Sequence, residues 1–373
     1  MMKYSSMNNL IRWVAFFACT LFASCGGDSG EKVTLENLNV DINISSDGTG
    51  VVEIITTVDN AKYFKFFFGE SPTETPVEQT FGSIIHTYEE EGTFTITVQA
   101  HRSESEFISQ SMDVTIDLFI DIPTEGPSSP TSYVGMTSVW SEEFSESNID
   151  DTKWTFEIGN NGGWGNNELE YYQSGNASIV DGNLMIEARS EALNGFSYTS
   201  SRMITKSKFD FKYGRVDVRA ALPKGQGIWP AIWLLGSNID AVGWPKCGEI
   251  DIMEMIGGDG SGNGRDNKIY GTAHWFGTAY ASYGGNTTLS SGIFKDKFHV
   301  FSISWDENYI RWYLDDVKYH EILITPAELS EFKENFFLIL NVAVGGNWPG
   351  SPNGATTFPQ RMFVDYVRVF QPL

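Results

Sequence analysis

Alternation of apolar and polar positions marks several stretches of the chain as half-buried strands. Thr93-Phe94-Thr95-Ile96-Thr97-Val98 places Phe94, Ile96 and Val98 on one face and threonines on the other. Residues 51–58 and 112–120 are similar β-rich runs separated by turn residues, a spacing that suits a small antiparallel sandwich. Further along, residues 214–220 alternate, and two runs flanking Asp315-Asp316 read as a hairpin with a two-residue turn. Residues 336–344 form a near-continuous apolar run, as expected of a central strand covered on both faces. Thr325-Pro326-Ala327-Glu328 reads as a capping box with proline at the first helical position, which predicts a short helix from Pro326 to about Lys333. One helix among many strands predicts an all-β protein.

Punctuation divides the chain. Residues 122–135 carry Pro123, Pro127 and Pro130, so this segment is expected to be an extended, semi-rigid spacer. It separates a module at 33–121 from a body at 136–373, long enough for a single β-jelly-roll sandwich. At the start, Lys3 and Arg12 precede an apolar run at 13–23 that is broken only by Thr20. Eleven residues in a helix span about 16 Å, too short for a bilayer core of about 30 Å, so residues 1–24 read as a signal peptide.

Composition narrows the function. The chain holds 25 Lys and Arg against 48 Asp and Glu, and a net charge of -23 repels phosphate backbones, which argues against nucleic acid as a partner. Three cysteines, Cys19, Cys25 and Cys247, fit neither a disulfide framework nor a zinc spacing. Of 11 tryptophans, Trp13 lies in the leader and all others fall between Trp140 and Trp348. Flat sugar rings are commonly bound by stacking on exposed aromatic rings. The tryptophan-free module at 33–121 therefore reads as a spacer rather than a sugar-binding domain.

The chemistry concentrates in Glu249-Ile250-Asp251-Ile252-Met253-Glu254. Three acids within six residues of an apolar strand would be costly in a core, so they are expected to face a solvated groove. Glu249 and Asp251 share a face by the period of two, whereas Glu254 falls on the other side unless a one-residue bulge near Ile252-Met253 restores it. Glycosidases that retain anomeric configuration use one carboxylate as nucleophile and a second, about 5–5.5 Å away, as acid and base. Neighbouring negative charges keep at least one such group protonated near neutral pH, and Asp251 would bridge the two glutamates. An acidic sheet surface or a calcium site is the alternative reading of the same residues. Trp229 and Trp233 flank Pro230, which disfavours a helix, so both are expected on one face of a strand, either lining a groove or filling the core.

Several motifs carry resemblances. Tyr63 to Glu70, His86-Thr87-Tyr88 and Gly92-Thr93-Phe94 resemble a PKD module, an immunoglobulin-like β-sandwich common in secreted bacterial enzymes, with Glu70 where an aspartate is usual. Leu21-Phe22-Ala23-Ser24-Cys25 resembles a bacterial lipobox, which implies acylation of Cys25, a membrane anchor, and an outer-membrane or cell-surface lipoprotein of a Gram-negative bacterium. The acidic strand resembles the signature of glycoside hydrolase family 16 in its bulged form. Trp140-Ser141-Glu142-Glu143-Phe144, Trp164 to Tyr172, Ser200-Ser201-Arg202, Tyr213-Gly214-Arg215, Leu222-Pro223, Gly227 to Trp233 and Val364 to Val369 resemble its laminarinase branch.

That resemblance implies a retaining, endo-acting hydrolase of β-1,3-glucan, with Glu249 as nucleophile, Asp251 assisting and Glu254 as acid and base. It implies sugar contacts from Asn166, Glu168, Arg202, Trp229, Trp233, Trp244 and His274, although Glu168 could equally be structural. It implies no cofactor for catalysis, and a structural calcium held by the carbonyls of Glu143 and Gly182 and by Asp365; a salt-bridged Asp365 without metal is the alternative. The expected partner is a neutral β-glucan met by a monomer. A mixed-linkage β-1,3-1,4-glucanase, a marine galactan hydrolase and a non-catalytic glucan-binding protein are the rival readings.

Overall fold

The computed structural model describes residues 34–45, 48, 50–259 and 265–373; the leader and Cys25 lie outside the described residues. The chain divides into two compact units, Met1–Asp121 and Ile122–Leu373.

In the first unit, a three-stranded sheet orders Glu36–Ile44, Val51–Asp59 and Ser83–Thr87, and a four-stranded sheet orders Val77–Gln79, Tyr63–Phe67, Gly92–Ser103 and Glu106–Ile116. Val52, Ile54, Phe66, Ile96 and Val98 are buried in one core, so the alternation seen around Phe94 does separate core from solvent. The last strand begins at Glu106 rather than 112, because it pairs with Gly92–Ser103 from the hairpin turn onward.

The second unit is a sandwich of two antiparallel sheets. The site sheet has seven strands in the order Tyr280–Thr288, Lys268–Phe276, Glu249–Glu254, Ile228–Gly236, Phe336–Val344, Arg202–Ile204 and Thr155–Phe156. Eight strands form the backing sheet, with Gln360–Pro372, Gly214–Ala221, His299–Trp305 and the hairpin Tyr309–Leu314/Val317–Leu323 at its centre and one edge. Ile232, Ile250, Ile252, Met253 and Leu340 from the first meet Val216, Ile303, Trp312 and Val367 from the second in one continuous core. All nine residues of Phe336–Val344 are buried, as their apolar run predicts. Asp315 and Asp316 turn the hairpin with φ of 51° and 66°, a left-handed pair that a two-residue turn requires.

Two expectations need correction. The helix after Thr325 is a 3-10 turn, Ala327–Lys333, interrupted at Leu329, with Pro326 in extended conformation ahead of it and no side-chain cap. Leu329 and Phe332 are its buried residues, and the three-residue period of a 3-10 turn brings both onto the core side. The segment 122–135 is extended but does not hang free. Phe298 donates its N–H to the Glu125 carbonyl, Arg219 donates to the Pro127 carbonyl, Ser129 N donates to Tyr366 Oη at 2.6 Å, and Tyr133 Oη donates to Asp217 at 2.6 Å. A proline-fixed backbone with few internal hydrogen bonds offers its carbonyls outward, and the backing sheet takes them.

Candidate active site

The bulge is present. Along Ile228–Gly236, Ile232 pairs with Met253 and Trp233 with Asp251, so Ile252 is the extra residue; on the other flank the pairing steps from Asp251–Thr272 to Glu254–Tyr270. Ile250, Ile252 and Met253 all enter the core, and Glu249, Asp251 and Glu254 are left on the opposite face. Together with the seven sugar-contact residues read from the sequence they line one cleft of about 740 Å³.

Each carboxylate has its own neighbour. Trp244 Nε1 donates to Glu249 Oε2 at 2.9 Å, and Trp229 Nε1 donates to Glu254 Oε1 at 3.0 Å. His274 Nε2 stands 3.0 Å from Asp251 Oδ2, within ion-pair reach though out of line for a hydrogen bond, and 3.7 Å from Glu249. Tyr280 Oη lies 2.8 Å from the other ring nitrogen of His274 and orients it. Burial pushes Glu249 up to about 8, with the charge of Asp251 adding and His274 opposing. Burial also pushes Asp251 up to about 8. Glu254 is raised well above the usual carboxylate range by burial first and then by Asp251 and Glu249. Three carboxyl groups on one low-dielectric face cannot all ionise together, so the row holds protons near neutrality. Glu249, Asp251 and His274 also bring ligand atoms within 4.8 Å of one another, a set that could hold a cation only by occupying both carboxylates.

The floor of the cleft is a polar chain. Trp233 Nε1 donates to Asn341 Oδ1 at 2.8 Å, Asn341 donates to Tyr172 Oη, Tyr172 donates to Glu168, and Asn166 donates to the other Glu168 oxygen. Glu168 therefore both lines the cleft and ties the floor together. Glu170 is wholly buried beneath it, accepts the Val344 N–H at 2.6 Å, and is raised well above the carboxylate range by burial and by Glu168. Arg202 is stacked between Trp164 at 4.3 Å and Trp233 at 4.8 Å while paired with Glu157. Sequence reasoning missed Tyr280, Trp348 and Asn341. Asn341 was open to detection, as a lone amide inside the apolar run 336–344; Tyr280 and Trp348 carry no local pattern.

Glu143 directly follows the strand Met136–Glu142 and Gly182 directly precedes Asn183–Ala188, and both strands pair with Gln360–Pro372, which carries Asp365. The strands Asn183–Ala188 and Met136–Glu142 pair with successive parts of Gln360–Pro372, leaving Asp365 at the gap between them. Carbonyl and carboxylate oxygens are the donor type that a hard cation takes. Asp365 Oδ2 is held by Arg219 at 2.6 Å and the Glu143 carboxylate by Arg368, so one Asp365 oxygen and the carbonyls are what a metal would use.

Residues 164–368 match Glycosyl hydrolases family 16. A beta-glucanase of Rhodothermus marinus is 39% identical over 252 residues, covering 62% of this chain and 84% of that protein. The clotting factor G alpha subunit of Tachypleus tridentatus is 38% identical over 237 residues, 62% of this chain but only 34% of that longer protein. Among solved structures, the laminarinase catalytic domain of Thermotoga maritima MSB8 is 49% identical with a TM-score of 0.59, covering 64% of this chain and 99% of that one. Since the matched stretch holds the bulged strand and nearly all of the cleft, the chain belongs to glycosyl hydrolase family 16 and is a glycoside hydrolase.

Proposed function

We propose that the protein cuts internal β-1,3-glucosidic bonds of laminarin-like glucans with retention of configuration. The observation that carries this reading is the bulged strand, which puts three carboxyl groups of raised proton affinity on the floor of a tryptophan-lined cleft. Glu249 attacks the anomeric carbon as the bond to the leaving oxygen breaks, and the proton of Glu254 passes to that oxygen. Water then gives its proton to Glu254 and its oxygen to the anomeric carbon, freeing Glu249. Asp251 and His274 flank Glu249 while it is free, before attack and after release, Asp251 favouring its protonated form and His274 its charged form. Trp229, Trp233 and Trp244 each present an indole to the cleft, with Trp244 half exposed, as stacking on sugar faces requires.

Reducing ends should be released from laminarin faster than from mixed-linkage glucan or agarose, and proton NMR should show the β-anomer first. Glu249→Gln should fold, bind oligosaccharide and lose turnover. Preference for agarose, a first-formed α-anomer, or near wild-type turnover of Glu249→Gln would each overturn the corresponding part.

Three readings extend beyond the cleft. The first unit serves as a PKD-like spacer, Cys25 carries the lipid that places the enzyme at a Gram-negative cell surface, and calcium at Glu143, Gly182 and Asp365 clamps the strand edge without entering the chemistry. The two-sheet sandwich of the first unit, the lipobox resemblance, and the register that pairs the strands next to Glu143 and Gly182 with the strand of Asp365 support these in turn.

A further inference from the structure

Trp312 sits in the backing-sheet hairpin, wholly buried, on the far side of the core from the cleft. Its indole N–H nevertheless crosses the sandwich and donates to the backbone carbonyl of Asp251 at 2.7 Å. That carbonyl belongs to the peptide that leads into the bulged residue Ile252. The indole can come so close because Gly271, the residue opposite the bulge, has no side chain: a Cβ there would stand 2.4 Å from Trp312 Cδ1 and 2.6 Å from Tyr319 Oη. The hairpin is itself irregular here, with Trp312 opposite His320 and Tyr313 opposite Lys318, so Tyr319 is its extra residue. Two irregularities, one in each sheet, thus meet across the core at Gly271.

We infer that Trp312 is a positioning residue, which pins the peptide entering the bulge and so sets the aim of Glu254. A bulge disrupts the ladder, and a carbonyl that it turns out of the sheet must find a donor elsewhere. Trp312 supplies that donor from a rigid strand. With Phe in its place the ring volume is largely kept but the carbonyl loses the indole donor, and the peptide is freer to rotate toward another partner. Glu249 precedes the bulge in register, whereas Glu254 follows it and takes the error. The inference rests on the assignment of Glu254 as the proton donor to the leaving group.

The test compares kcat/KM, which reports the step that expels the leaving group, on a laminari-oligosaccharide and on a dinitrophenyl laminaribioside whose leaving group needs no proton. Trp312→Phe should lose roughly ten- to a hundredfold on the oligosaccharide, as a misplaced acid would, and only a few fold on the aryl glycoside. Gly271→Ala, which pushes the indole back without altering it, should show the same asymmetry. Equal losses on both substrates, or no loss on either, would reduce Trp312 to core filling and overturn the inference. Glu254→Ala separates this outcome from failure of the underlying reading. If it too loses equally on both substrates, the role of Glu254 is wrong; if it shows the asymmetry and both core variants lack it, only the role of Trp312 falls.

Discussion

Asparagine in place of Asp251 removes one negative charge from the carboxylate row and keeps the side-chain shape. After burial itself, the charge of Asp251 is the largest influence holding a proton on Glu254, and it acts in the same sense on Glu249. Residues two strand positions apart lie about 7 Å from each other. At an effective dielectric of about 20, a full charge at that distance is worth about 2.4 kcal/mol, equivalent to about 1.7 pH units. Asp251 is itself pushed up to about 8, so around that pH it carries about half of that charge, and the expected displacement of an alkaline limb lying there is about one unit. The sign is fixed by electrostatics. A negative neighbour opposes loss of a proton, so without it Glu254 gives up its proton at lower pH. The alkaline limb of kcat/KM against pH should therefore move down, and the acid limb, which reports Glu249, should move the same way. The profile is measured on a laminari-oligosaccharide for both enzymes. An alkaline limb that stays in place, or moves up, would refute the claim that Asp251 keeps the acid protonated.

Two further consequences concern stability. A carboxyl whose folded proton affinity is raised leaves stability intact below the ordinary carboxylate range and withdraws it as pH rises toward the folded value, so Glu170 should weaken the fold in alkali. Glu170→Gln keeps the neutral form, and its advantage in thermal melts should grow from acid to alkaline pH, reaching on the order of 1–3 kcal/mol; a constant or shrinking difference would contradict the buried-carboxyl account. Tyr133→Phe removes one donor from the wholly buried Asp217, which Arg215 and Ser302 still hold, and should cost about 1–2 kcal/mol in urea unfolding of the second unit. A free linker predicts no loss.

The site was legible where chemistry and periodicity conflict. Glu249 and Asp251 obey the strand period and Glu254 breaks it, and three carboxylates on an apolar strand make a bulge the cheaper explanation than a buried charge; Ile252 is that bulge. Trp229 and Trp233 were legible for the same reason, because proline between them excludes a helix and the strand period then puts both on one face. What the sequence hid is set by contacts between distant segments. Composition marks 122–135 as extended, but the donors that receive its carbonyls, Phe298 N–H and Arg219, lie far away along the chain. Local residues at Thr325 resemble a helix cap, yet the core selects a 3-10 turn because Leu329 and Phe332 must enter it together. Glu170 carries no local mark of burial in Glu168-Leu169-Glu170, and only the packing of Phe336–Val344 against it reveals a carboxyl in the interior.

The bulge also changes what counts as the active site. A regular strand would be held by its two neighbours, and its side chains would answer only to the cleft. A bulged strand gives up part of that ladder, so its geometry depends on whatever replaces the lost bonds. Here the visible replacement comes from the opposite sheet, through the indole of Trp312, and the approach is made possible by glycine at 271. The hydrophobic core is therefore a path by which a change at the backing hairpin reaches Glu254, through the Asp251 peptide, without replacing any cleft-lining residue. Substitutions at Trp312, Gly271 or Tyr319 should alter bond cleavage more than sugar binding, because Arg202, Trp233 and Asn341 are anchored to one another on the far side of the catalytic strand and do not pass through the bulge.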